Sequence, residues 1–170
     1  MSPAEATRAW VTDFVVRLGL CPFAARPLRE GRVAYVTCPE EAPEAAFYWA
    51  GTQVQGFITD GRAATETSLL IFPRGLDDFD AFLDFVDEVE FFLDDSGAAS
   101  FVQLAHFHPL YCFADVPEHD PGNATNRSPY PVVQLLRVDS VTAAVEGYPD
   151  AEGIPARNVA LLRRLAEEQQ

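Results

Sequence analysis

The sequence predicts an α+β domain, a single mixed sheet of about four strands covered by helices, with a three-layer α/β/α arrangement as the alternative. Three observations predict it. Segments of helical and strand periodicity follow one another in the order α-β-α-β-α-β-β-α-α. The chain has 170 residues, the size of one ordinary domain, and folding at that length buries about 70% of the unfolded surface. Hydrophobic residues make up 48% and aromatics 12%, a composition that folds. No repeat, low-complexity tract or linker divides the sequence, so residues 1–170 are expected to form one domain.

The first helix opens at Ser2-Pro3-Ala4-Glu5, with Ser2 as cap, Pro3 in the first turn and Glu5 completing a capping box. Trp10, Phe14 and Leu18 recur every four residues on one apolar face, and Gly19 stops the helix. Arg32 to Cys38 alternates as a strand. A helix from about Glu41 to Ile58 follows, weakened by Gly51 and Gly56. Thr67 to Phe72 is a short apolar strand closed by Pro73. Leu76 to Asp94 is the clearest helix. Phe79, Phe82, Leu83, Val86, Val89 and Leu93 form its buried stripe, and its aspartates form the wet face. Ser100 to Phe107 and Val132 to Val138 are the third and fourth strands. Ser140 is expected to cap a short helix to Glu146, and a last helix runs from near Pro155 to about Glu168.

The net charge is −14, which argues against a nucleic-acid partner. All twelve basic residues are arginine. An acidic, lysine-free surface suits a high-salt cytoplasm or ordinary solubility equally. Cys21, Cys38 and Cys112 are too few and too far apart for a disulfide framework or a zinc ribbon. No signal peptide or membrane-spanning run is read, so the expected location is cytoplasmic, with reduced thiols and no membrane partner.

His108 to Pro131 forms a loop of 24 residues without helical or strand periodicity. Loops beyond about 12 to 15 residues are uncommon in compact domains unless functional or disordered. This one holds Tyr111, Phe113 and Tyr130, which favour burial, and five prolines that stiffen it. Its polar residues include His108, Asp120, Asn123, Asn126 and Arg127. Such a loop at the end of a sheet is a reasonable place for a site. Equally, its Asn and Asp could do no more than satisfy its own turns.

Several segments carry a resemblance. They are Gly19-Leu20-Cys21-Pro22-Phe23-Ala24, Glu66-Thr67, Phe107-His108-Pro109 with Tyr111 and Phe113, and Asn126-Arg127-Ser128-Pro129-Tyr130-Pro131 with Leu135-Leu136-Arg137. Together they resemble a bacterial family known only as a domain of unknown function, over nearly the whole chain. The resemblance implies that Cys21, His108, Asn126, Arg127 and Arg137 lie on signature segments. It implies no activity. The family pattern has a His before Leu-Leu-Arg where this chain has Gln134, and the helix with Phe47, Tyr48 and Trp49 is less typical.

Three constellations follow. Cys21 with His108 is the minimum for thiol nucleophilic catalysis, if arginines supply positive charge; otherwise Cys21 is an inert core thiol. His106, His108 and His119 with Asp120 or Glu66 could hold a divalent metal, though their spacing is unspecific. Arg127 and Arg137 could hold a carboxylate or phosphate bidentately, or Arg137 could form a structural bridge to Glu66. The leading expectation is an enzyme or binding domain for a small anionic molecule. In it Arg127, Arg137, Asn126, Glu66, Asn123 and Asp120 bind, and His108 and Cys21 are catalytic. The competing expectations are a structural or protein-interaction module and a metal-binding protein. Cofactor, substrate and oligomeric state are not legible. The enzymatic expectation requires Cys21, His108, Arg127 and Arg137 to converge on one pocket.

Overall fold

A computed structural model describes residues 1–170. The expected order of elements is present. Helix α1 (Pro3–Trp10) starts in the capping box: Ser2 Oγ accepts the Glu5 N–H at 3.1 Å, and the Glu5 carboxylate accepts the Ser2 N–H at 2.7 Å. Strand β1 (Val33–Thr37) is followed by helix α3 (Pro43–Asp60), after the short helix α2 (Ala25–Arg29). Then come β2 (Thr67–Ile71), α4 (Phe79–Ser96), β3 (Val102–Phe107), β4 (Val132–Arg137), α5 (Val138–Glu146) and α6 (Ile154–Glu168).

The strands form one mixed sheet in the order β1-β2-β4-β3. β1 runs parallel to β2, and β4 is antiparallel to both of its neighbours. The crossovers from β1 to β2 and from β2 to β3 therefore step across the sheet in one direction. Right-handed crossovers stepping the same way put their helices on the same face. α3 and α4 obey this, sharing one core with Leu70, Val133 and Leu135. In that core Phe82 is fully buried, and Val86 and Val89 are nearly so, as the apolar stripe of α4 predicts.

The opposite face carries Leu69, Ile71 and Val132, and it is covered by Trp10 of α1 and by Val11, which directly follows it. Trp10 meets Phe107 edge-on, with ring centroids 5.1 Å apart. Helices thus lie on both faces of the single sheet. α1 covers only part of its face. The remainder, around Thr67, Gln134, Leu136 and Ala105, is overlain by the 21–24 turn, α5, α6 and the long loop.

Four local features differ from the sequence reading. α1 continues as a π-helical turn over Val11–Val16, with Leu20 N–H donating five residues back to Val15 O at 2.9 Å. α2 carries no buried residue, so it leaves no periodic signal. Pro121–Asn126 in the long loop is a 3₁₀ helix capped by Asp120. Ser140 does not cap α5. The helix begins at Val138 directly from β4, with Arg137 as both last strand residue and N-cap.

Candidate functional site

A cavity of about 1310 Å³ opens between the α1 face of the sheet and its partial cover. Its floor is sheet: Thr67 and Leu69 from β2, Gln134 and Leu136 from β4, Ala105 and Phe107 from β3. The long loop supplies Phe113, Val116, Thr125 and Asn126 to one wall. α6 is fixed over it by Asn158, which donates to Leu20 O at 2.7 Å, and by Arg163, paired with Asp120 at 2.9 Å. The Arg163 guanidinium and the Gly122 N–H hold the Asp120 carboxyl below its usual pKa.

The ionisable lining is unequal. Arg26, Arg32, Arg62, Arg137 and Arg163 line the cavity, against Glu66 as the one acid. Arg32 bonds Glu66 at 3.1 Å, and outside the lining Glu30 pairs with both Arg26 and Arg32 and Asp139 pairs with Arg62. Arg137 is 9% exposed. Its guanidinium lies 3.8 Å from the centre of the Phe57 ring, and Nε and Nη2 both donate to Thr65 O. Nη1 has no protein acceptor. Burial draws the Arg137 pKa below the ordinary value, while nearby Glu66 works against that shift. The expected Arg137–Glu66 bridge is replaced by these two separate bonds, because Glu66 is taken by Arg32.

Four of the eight residues singled out from the sequence line the cavity: Cys21, Glu66, Asn126 and Arg137. Asn126 is held by a bond from Nδ2 to His106 O at 3.0 Å. Cys21 lies in the turn before α2. Burial pushes its thiol pKa up, and the Phe23 and Ala24 N–H groups only partly oppose this. A protonated thiol is a poor nucleophile. The iodoacetamide reaction rate of Cys21, followed by peptide mass spectrometry, should keep rising with pH after a free thiol has levelled off. A rate already maximal near neutrality would contradict that burial.

The other four serve the loop. His108 is 1% exposed and is not among the lining residues. Its Nε2 donates to Leu76 O at 2.9 Å, and its Nδ1 accepts the Leu110 N–H at 3.0 Å. Both ring nitrogens are spent on the backbone. Arg127 clamps the loop through Tyr111 O at 2.9 Å and Glu118 O at 2.8 Å. Asn123, fully buried, accepts from Phe113 N–H and donates to Pro117 O and Glu118 O. Asp120 caps the 3₁₀ helix and holds Arg163. The pairing of Cys21 with His108 is therefore absent, and Arg127 does not join Arg137. Nor does any group of three or more His, Cys, Asp or Glu side chains stand close enough to hold a metal ion.

Sequence reasoning missed Thr67, Gln134 and the four other arginines. Trp10 Nε1 and Ser140 Oγ, on lining residues, are buried without a hydrogen-bond partner. Such groups are rare in folded proteins.

The family model described as "Protein of unknown function (DUF1415)" matches residues 2–170. The chain belongs to this family. No curated protein and no solved structure matches it. For this family member the signature segments split by role. Leu20 to Ala24, Glu66, Thr67, Phe107, Asn126 and Arg137 reach the cavity, whereas His108 and Arg127 hold the loop that walls it. No helix is long and apolar enough to cross a membrane.

Proposed function

We propose that this chain binds a small amphipathic anion in the cavity between α1, α6 and the sheet. The observation that carries the reading is Arg137, which alone among the five lining arginines has no carboxylate partner, on a mainly apolar lining in a chain of net charge −14. Outside such a pocket the overall field repels anions, so local positive charge here is selective. Arg137 is the leading contact, because its guanidinium is fixed over Phe57 and on Thr65 O while Nη1 is still available. The apolar floor of Leu69, Leu136 and Phe107 takes the body of the ligand. Apolar walls with a few fixed polar groups are the usual make-up of small-molecule sites. Binding is favoured over catalysis, since Cys21 has no imidazole beside it and burial keeps its thiol protonated. A second reading, a protein-interaction module, draws on Tyr48 and Phe91, which are 66% and 70% exposed on α3 and α4.

Decanoate, decyl phosphate, decanol and inorganic phosphate form a sufficient panel. Trp10 lines the cavity, so its emission in a Trp49→Phe background reports occupancy. The two amphipathic anions should shift that emission. At a hundredfold excess over Kd they should raise Tm by about 5 to 10 °C. Decanol and phosphate should do much less. Arg137→Met keeps the apolar stem and should weaken anion binding by about 10- to 100-fold. No response to any member of the panel would sink the reading.

A further inference from the structure

The cavity floor contains a hydrogen-bond chain with a fixed direction. Thr67 is 9% exposed, and its hydroxyl donates its only proton to Leu135 O at 2.7 Å. Its oxygen is then left as an acceptor. Gln134 sits on the neighbouring strand and bonds that oxygen through Nε2 at 3.0 Å. The reverse orientation would set the Gln134 carbonyl against an oxygen with no proton to give. Thr67 therefore fixes the side-chain amide, and Gln134 Oε1 is left on the floor without a protein donor. Leu69 and Ala105 are its direct neighbours in the sheet register, and neither side chain can donate. A fixed carbonyl on an apolar floor selects for a ligand that brings a proton to it.

Charge narrows the kind of donor. An ammonium group would enter a lining where Arg137 has no carboxylate partner and the one glutamate is already bonded to Arg32. A neutral donor meets no such penalty. Position narrows it further. Gln134 and Arg137 are three residues apart on β4, roughly 10 Å along the strand, and alternation turns Arg137 to the other face, where its guanidinium packs on Phe57 at the strand end. The donor is thus set back from the charged head.

We propose that Gln134 is the specificity-determining residue of the cavity, with Thr67 as its positioning residue. The ligand class is an amphipathic carboxylate or phosphate that carries a neutral donor, a hydroxyl or an amide N–H, in its body. The inference rests on the anion reading above and deepens it.

The test compares decanoate with 10-hydroxydecanoate, 6-hydroxydecanoate and N-hexanoylglycine, and adds 6-oxodecanoate, which can only accept. Trp10 emission and calorimetry measure affinity in the full chain. At least one donor-bearing probe should bind about tenfold more tightly than decanoate, and 6-oxodecanoate should gain nothing. Gln134→Leu should abolish that preference, so that the donor-bearing probes bind this variant no more tightly than decanoate does. Thr67→Val frees the amide to rotate, so 6-oxodecanoate should then gain on the hydroxy acids. A purely structural role for Thr67 would not produce this inversion. If Thr67→Val unfolds the chain, Gln134→Leu still decides, since it places an apolar side chain on an apolar floor. Decanoate binding with no gain from any donor, or a gain that survives in Gln134→Leu, would overturn the inference and leave the anion reading standing. No binding by any of the carboxylates would overturn both.

Discussion

His108→Ala is expected to cost about 3 to 5 kcal/mol of folding stability, measured by urea denaturation. The imidazole lies between the rings of Phe79 and Phe82, with centroids 5.3 and 5.1 Å away. Its removal opens a cavity that neither ring can close. It also strands Leu76 O and the Leu110 N–H, which the two ring nitrogens satisfy at 2.9 and 3.0 Å. A surface or catalytic histidine would behave differently, losing function with little loss of stability. His108→Gln carries both a donor and an acceptor, and so should recover part of the loss. If His108→Ala unfolds at the same urea concentration as the parent, the bracing role is wrong.

The same residue links the two ends of the long loop. The His108 N–H donates to Asn126 O at 3.0 Å, closing the base of the loop. Asn123 and Arg127 then tie its interior to Phe113, Tyr111 and Glu118. The result is a rigid wall that presents Phe113, Thr125 and Asn126 to the cavity. The polar residues of the loop shape the cavity mostly from behind.

This division explains what the sequence could and could not show. The order of elements was legible because each core helix and strand repeats its apolar residues at its own period, as Phe82, Val86, Val89 and Leu93 do on α4. Caps such as Ser2 were legible because their chemistry is local. The roles of His108, Asn123 and Arg127 were not, because Asn, His and Arg bond a backbone carbonyl as readily as a ligand. Only the partner decides, and the partner of His108 is 32 residues away in sequence. Gln134 did leave a signal. It is the one polar side chain in Val132-Val133-Gln134-Leu135-Leu136, and strand alternation puts it on the face of Val132 and Leu136. That face proved to be the cavity floor. The surplus of arginines there was invisible beforehand, since Arg26, Arg62 and Arg163 come from segments with no shared spacing.

Gly75→Ala is expected to be more damaging still, at about 4 kcal/mol or more. Gly75 has φ +87°, and a Cβ there would stand 1.9 Å from Glu41 O, which is backbone and cannot swing aside. Gly75 lies just before Leu76, whose carbonyl is the acceptor for His108, so the displacement would reach the loop anchor. Gly97 supplies the control. Its φ is +81°, but an added Cβ would meet nothing within 4 Å. Gly97→Ala therefore isolates the cost of the left-handed backbone, about 1 to 2 kcal/mol. The difference between the two variants measures the clash of Gly75 with Glu41. Folding stabilities are typically only about 5 to 15 kcal/mol, so Gly75→Ala should leave little margin. Urea midpoints at unchanged m-value would separate the two variants clearly. Equal costs would mean that the turns before α3 and α4 are not in backbone contact at Glu41 and Gly75.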